Sequence, residues 1–211
     1  MKVAFYTLGC KVNQYETEAM AELFADSGYE IKEFTEVADV YVINTCSVTN
    51  MGDRKSRQII RRAKKLNPNA VIAVTGCYAQ TAPDEVLAIE GVNLVLGTKD
   101  RKNIVTLVEE LNTESNINHV SDIMSNHEFE ELQIKQYSNR TRAFIKIQEG
   151  CNQFCSYCII PYARGPVRSR AKDDVVREIK ELAHNGFKEI ILVGIHVASY
   201  GVDLGDTTLE S

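Results

Sequence analysis

The chain has 211 residues, 44% of them hydrophobic and 25% charged, and a formal net charge of −5, a composition that supports one large soluble core or two smaller ones. The negative balance excludes a protein whose whole surface is a nucleic-acid footprint, although a local basic patch stays open. The apolar run at 3–8 is too short for a secretory signal, and no stretch approaches the roughly 20 apolar residues of a membrane span. A cytoplasmic protein is therefore expected, with no membrane contact, and its six cysteines point to metal or catalysis before disulfides.

In chain order, the first hundred residues alternate β-rich runs with helical ones. VAFYTL (3–8), EIKEF (30–34), DVYVIN (39–44), AVIAVT (70–75) and NLVLG (93–97) are the predicted strands, and 16–25 and 54–66 are amphipathic. This alternation predicts an α/β domain with an open, mainly parallel sheet, whose β-branched runs suit strands buried on both faces. Within the second helix, RKSRQIIRRAKK (54–65) holds seven basic residues. At helical spacing Arg54, Arg61, Arg62 and Lys65 share one face, and Ile59, Ile60, Ala63 and Leu66 form the buried one. Such a face is either simply solvated or the electrostatic part of an RNA contact.

The polar, acidic stretch 113–139 reads as a connection between domains or an edge element, which places a first domain at 1–112 and a boundary near Arg140. Beyond it, RAFIKIQ (142–148), a helix over 173–185 stopped by Gly186, and EIILVGI (189–195) form another βαβ unit over 140–211. A cysteine loop sits on its first connection. The sequence reaches TTLES about two βα units into this domain, well short of a full barrel, so the second domain is expected to be incomplete.

The loop, EGCNQFCSYCIIPYARG, carries Cys151, Cys155 and Cys158 as C-x3-C-x2-C. A zinc knuckle is the plain alternative, but zinc sites usually pair two C-x2-C units, and the sequence has no second pair or neighbouring histidine here. Three thiolates on one short loop suit a 4Fe-4S cluster with one iron left without a protein ligand. The other three cysteines each follow a predicted strand: Cys10 after VAFYTLG, Cys46 after VYVINT and Cys77 after VIAVTG. The carboxyl ends of strands in an open parallel sheet face one crevice, so these thiols are expected to converge. Burial in strands explains any one cysteine alone, yet three in the same register read as a second three-cysteine cluster site. Each has turn or cap neighbours: Gly9, Thr45 with Ser47, and Gly76.

The loop motif, with Tyr157 just before its last cysteine, resembles the radical S-adenosylmethionine (SAM) signature. That resemblance implies the first βα units of a partial barrel, in which the amino and carboxylate groups of SAM chelate the fourth iron and reductive cleavage yields a 5'-deoxyadenosyl radical. TLGCKVNQYE (7–16), INTCSVTNMGDRKSR (43–57), TGCYAQ (75–80) and EGCNQFCSYCIIPYARGPVRSR (149–170) together resemble the radical methylthiotransferases over essentially the whole chain. The first segment is similar to the branch acting on N6-threonylcarbamoyladenosine at position 37 of tRNA. It differs from the Tyr-Gly-Cys-Gln-Met-Asn form of the isopentenyladenosine branch and from the Gly-Cys-Pro-Lys-Asn form of the ribosomal-protein branch. GIHVASYG (194–201) points the same way.

The resemblance implies an enzyme that places a methylthio group at C2 of the modified adenosine, with two 4Fe-4S clusters, SAM, a tRNA substrate and an electron donor such as flavodoxin or ferredoxin. C2 of adenine offers no acidic proton, so a radical route is chemically sensible. Cys151, Cys155 and Cys158 would hold one cluster, and Cys10, Cys46 and Cys77 the other. Tyr157, Arg164 and His196 are expected near SAM, the last because site residues collect at the ends of barrel strands. Arg61, Arg62, Arg168 and Arg170 are expected against RNA, since arginines suit carboxylate and phosphate partners. Asn13 and Asn44 read as residues that position the Cys10 and Cys46 loops. The competing readings are the isopentenyladenosine or ribosomal-protein reaction, and a non-catalytic metal-binding module that docks RNA.

Overall fold

The computed structural model describes residues 1–47, 50–111, 116–132, 134, 142–205 and 207–210. Its strands are β1 (Lys2–Thr7), β2 (Glu30–Lys32), β3 (Val40–Thr45), β4 (Val71–Gly76), β5 (Leu94–Leu96), β6 (Ile117–His119), β7 (Arg142–Glu149), β8 (Arg168–Ser169) and β9 (Glu189–Gly194). The helices are α1 (Lys11–Asp26), α2 (Asn50–Leu66), α3 (Cys77–Thr81), α4 (Pro83–Leu87), α5 (Ile104–Glu109), α6 (Ile160–Arg164) and α7 (Lys172–His184).

Six strands form one sheet in the order β2-β1-β3-β4-β5-β6, and every neighbouring pair is parallel. Both faces are covered, which explains why β3 and β4 are buried at every position. Ile59, Ile60 and Ala63 of α2, with Tyr78 and Val86, pack on Ile43, Ile72 and Val74. Met20 and Phe24 of α1, with Ile104 and Val108 of α5, pack on Val3, Val40 and Val42. The chain leaves β1 toward β2 on one side and then returns to place β3 on the other. That reversal opens a crevice at the carboxyl ends of β1 and β3, where doubly wound sheets bind ligands.

The segment expected to connect two domains supplies β6, whose Ile117 pairs with Leu94, so part of it is the edge strand of the first sheet. A three-residue strand with every position exposed carries no hydrophobic alternation, and periodicity could not find it. Further on, Leu132 and Ile134 pack against Tyr15 and Ala19 of α1, and the Tyr15 hydroxyl donates to the Leu132 carbonyl. The boundary expected near Arg140 lies outside the described residues.

The second sheet has the order β8-β7-β9, with β9 parallel to β7 and the two-residue β8 antiparallel to it. Val175 and Leu182 of α7 cover Ala143, Ile145 and Ile147. On the same strand Lys146, Gln148 and Glu149 are buried although polar. The helix α1 begins five residues earlier than its apolar periodicity predicts, because its inward face is polar at Asn13, Glu16 and Thr17.

Candidate metal centres and the charge network between them

Register brings the first cysteine set together. Thr7 pairs with Asn44 and Thr45 with Gly76, so three adjacent strands end side by side, with Cys46 and Cys77 directly after β3 and β4 and Cys10 three residues past β1. Gly9 has φ +106°, and a Cβ there would lie 3.0 Å from the Cys46 Cβ and 3.1 Å from its Sγ. Only a glycine leaves that approach open. Asn13 ties the loops together: its Nδ2 donates to the carbonyls of Leu8 and Thr45, both at 2.9 Å, and its Oδ1 accepts from Cys10 Sγ at 3.5 Å. Asn44 Nδ2 returns a bond to the Asn13 carbonyl at 3.0 Å.

All six thiols are free of disulfides; Cys10 is exposed, Cys46 half-buried and Cys77 buried. Among the described residues no three cysteine, histidine or carboxylate side chains are drawn close enough to hold a single ion. A cubane is a larger guest than an ion, and three soft donors around a Cβ-free cradle, with α1 starting directly after Cys10, fit an anionic iron-sulfur group.

The second set sits on the loop after β7. Gly150 has φ +77°, and a Cβ there would stand 1.8 Å from the Pro166 carbonyl, so the loop closes only with glycine at its base. The Cys151 amide donates to the Gly165 carbonyl at 3.0 Å and the Cys158 amide to that of Cys155 at 2.9 Å. Gln148 Nε2 donates to the carbonyls of Glu149 and Gly150 at 2.8 and 2.7 Å, and its Oε1 accepts from the His196 amide at 2.7 Å. One side chain thereby fixes the loop base to the end of β9. Cys155 is exposed, and Cys151 and Cys158 are half-buried. Tyr157 is 91% exposed, and the exposed His196 ring faces Ser199 Oγ at 2.6 Å. These three-thiol donors also suit a cluster, and their open side leaves room for an exchangeable cosubstrate.

Between the two sets lies a buried network of ion pairs. Arg164 Nη1 meets Glu16 Oε1 at 2.5 Å and Glu149 Oε1 at 2.7 Å, and its Nη2 donates to Asn13 Oδ1 at 2.6 Å. Its Nε donates to Cys77 Sγ at 3.3 Å. Arg101 joins Glu16 at 2.7 Å and Glu130 at 2.8 Å, while Lys146 joins Glu149 at 3.0 Å and Glu16 at 3.4 Å. Burial raises the Glu16 and Glu149 carboxyls, but Arg101, Arg164 and Lys146 outweigh it and hold both below their ordinary 4.5. Burial also pushes the Cys77 thiol up, against the opposing pull of Arg164.

The arginines are where the structure departs from the sequence reading. Arg164, expected beside SAM, is wholly buried and its guanidinium is spent on Glu16, Glu149, Asn13 and Cys77. Arg168 and Arg170, expected against RNA, are also buried. Arg168 Nη2 donates to the Arg164 carbonyl at 2.9 Å, and Arg170 pairs with Glu131 and Glu178. Side chains with these partners present no face to an RNA. Arg61 and Arg62 remain exposed on α2, in a shallow groove shared with Arg54, Lys55, Arg57 and Lys65; the Arg62 guanidinium stands 5.9 Å over the Phe34 ring. Sequence reasoning missed Glu16, Lys146, Glu149 and Arg101. The available signal was weak: a glutamate on the inward face of an amphipathic helix, and a lysine and a glutamate among the alternating residues of a strand.

The chain therefore combines a parallel-sheet domain, with a cysteine shortly past each of three adjacent strands, and a βαβ unit whose first loop carries C-x3-C-x2-C. Residues 145–208 match the Radical SAM superfamily, and residues 2–97 match the Uncharacterized protein family UPF0004. The two matches follow one another along the chain, the first over β1 to β5 of the six-stranded sheet and the second over most of the three-stranded one.

It is 55% identical over 205 residues to the threonylcarbamoyladenosine tRNA methylthiotransferase MtaB of Bacillus subtilis, an alignment covering 97% of this chain and 46% of the relative. MtaB of Aquifex aeolicus is 45% identical over 206 residues, with 97% and 50% covered. A tRNA-2-methylthio-N(6)-dimethylallyladenosine synthase of a Sulfurihydrogenibium species is 37% identical over 214 residues, with 98% and 48% covered. The chain thus spans about half the length of these curated relatives. Among the described residues no helix is long and apolar enough to cross a membrane.

Proposed function

We propose that this protein is a radical SAM methylthiotransferase that modifies C2 of N6-threonylcarbamoyladenosine at position 37 of tRNA. The observation that carries the reading is the pair of three-cysteine sets, at the carboxyl ends of two sheets and joined by one buried charge network. The higher identity to the two MtaB relatives than to the dimethylallyladenosine synthase favours the threonylcarbamoyl substrate.

Cys151, Cys155 and Cys158 hold the cluster that, when bound, supplies the electron for reductive cleavage of SAM. Cys10, Cys46 and Cys77 hold a second cluster that handles sulfur. Gln148 and Gly150 set the loop, and Tyr157 and His196 border the open side where SAM would lie. Arg61 and Arg62 offer charge to tRNA phosphates. The reading includes a cytoplasmic location, a flavodoxin- or ferredoxin-type electron donor, and a division into a cluster domain at 1–112, a connection at 113–139 and a radical domain from 140.

Anaerobic reconstitution tests the clusters: about eight irons per chain are expected, falling to about four when either cysteine set is replaced by alanine. Stoichiometric zinc without a visible band would instead support a metal-binding module and overturn the enzyme reading. Mass spectrometry of tRNA nucleosides tests the substrate. Deleting the gene should remove methylthio-threonylcarbamoyladenosine and restoring it should return the nucleoside; no change in either strain would sink the assignment.

A further inference from the structure

Cys77 differs from the other five cysteines in its neighbour. It is buried, and the Nε of a guanidinium donates to its sulfur at 3.3 Å. That guanidinium does not belong to the Cys77 domain. Arg164 lies on α6, six residues past Cys158 in the second domain, and α6 packs against α3, which Cys77 begins.

The charges point to the same pairing. Among the described residues the contiguous network holds four cations, Arg101, Lys146, Arg164 and Arg168, and three carboxylates, Glu16, Glu130 and Glu149. All seven side chains are nearly or wholly inaccessible to solvent, where an uncompensated charge is costly. A ligand sulfur at Cys77 carries the fourth negative charge, since metal binding deprotonates a thiol outright.

We propose that Arg164 is the hydrogen-bond and charge partner of the Cys77 sulfur, a positioning residue by which the second domain holds and tunes the metal centre of the first. This rests on the reading that Cys10, Cys46 and Cys77 bind a 4Fe-4S cluster. Hydrogen bonds to cluster sulfurs and nearby positive charge favour the reduced state, which carries one more electron. Removing Arg164 therefore shifts the potential of that cluster to a more negative value. The reduction adds one electron from an external reductant, breaks no bond and needs no proton.

The test uses the full chain with Cys151, Cys155 and Cys158 replaced by alanine, so that one centre remains. It is reconstituted anaerobically with iron and sulfide and titrated with dithionite and mediators under electron paramagnetic resonance. Arg164→Gln, Arg164→Lys and Arg101→Gln are made in that background. Arg101 shares the network and touches no sulfur, so its variant reports what destabilisation alone does. About four irons per chain are expected in the background. The midpoint should move negative in Arg164→Gln, by less in Arg164→Lys, and least in Arg101→Gln.

Equal shifts in Arg164→Gln and Arg101→Gln, or none in either, overturn the proposal. If Arg164→Gln does not fold, Arg164→Lys decides, and an unchanged midpoint there overturns it. Absence of iron from the background with Arg164 intact removes the first-domain cluster itself, an outcome distinct from a cluster whose potential ignores Arg164.

Discussion

Glu16 shows how one side chain joins the two halves. It lies on α1, fully buried, and its carboxylate accepts from Arg164 at 2.5 and 3.1 Å while meeting Arg101 at 2.7 Å and Lys146 at 3.4 Å. Ion pairs this deep are poor evidence of net stabilisation, because desolvation offsets attraction, but removing one partner strands the rest. Glu16→Gln is therefore expected to lower stability at pH 7 by about 3–5 kcal/mol, read as a fall in the urea midpoint. The folded-state pKa of Glu16 lies below its ordinary 4.5. Its ionised form thus stabilises the protein above that value, and the contribution fades as pH falls through the lower folded value. The gap between parent and variant should narrow from pH 6 toward pH 4 and below; a gap that stays constant would mean that Glu16 is not the titrating anion.

At the scale of an element, α2 is apolar on one face and basic on the other. Ile59, Ile60 and Ala63 are buried in the sheet core, and Ile60→Ala is expected to cost about 2–5 kcal/mol through loss of packing. The opposite face keeps Arg54, Arg61, Arg62 and Lys65 in solvent. Replacing Arg61 and Arg62 with alanine should leave thermal stability nearly unchanged. It should weaken tRNA binding and reduce the log–log salt slope by about one for each phosphate no longer neutralised. An unchanged slope would make this face a solvated surface only.

At the scale of the whole molecule, the two sheets meet through polar groups as much as apolar ones. Thr98 Oγ1 donates to the Ala163 carbonyl at 2.7 Å, Lys11 stands 4.7 Å over the Phe144 ring, and the network around Glu16 and Glu149 spans both sheets. Separating the sheets would expose or strand four buried cations, so the halves should unfold as one unit. Far-ultraviolet circular dichroism and the fluorescence of the nine tyrosines, with no tryptophan to mask them, should trace coincident denaturation curves. Two resolved transitions would show that the network does not couple the sheets.

By itself, the sequence determined whatever depends on local pattern. Alternating β-branched and amphipathic runs specified the parallel sheet, and the C-x3-C-x2-C spacing specified a three-thiol loop, because both are properties of neighbours along the chain. The placement of Cys10, Cys46 and Cys77 after strands was legible too, since parallel strands bring their carboxyl ends to one side. The arginines were not legible. A basic residue has the same letter whether it faces water or lies buried, and the carboxylate that claims Arg164 is 148 positions away at Glu16. Only the packing of α6 against α3, with its arginine reaching α1, decided that Arg164 serves Cys77 and the network. Burial made charge pairing obligatory there, and the tertiary structure alone brings the partners within reach.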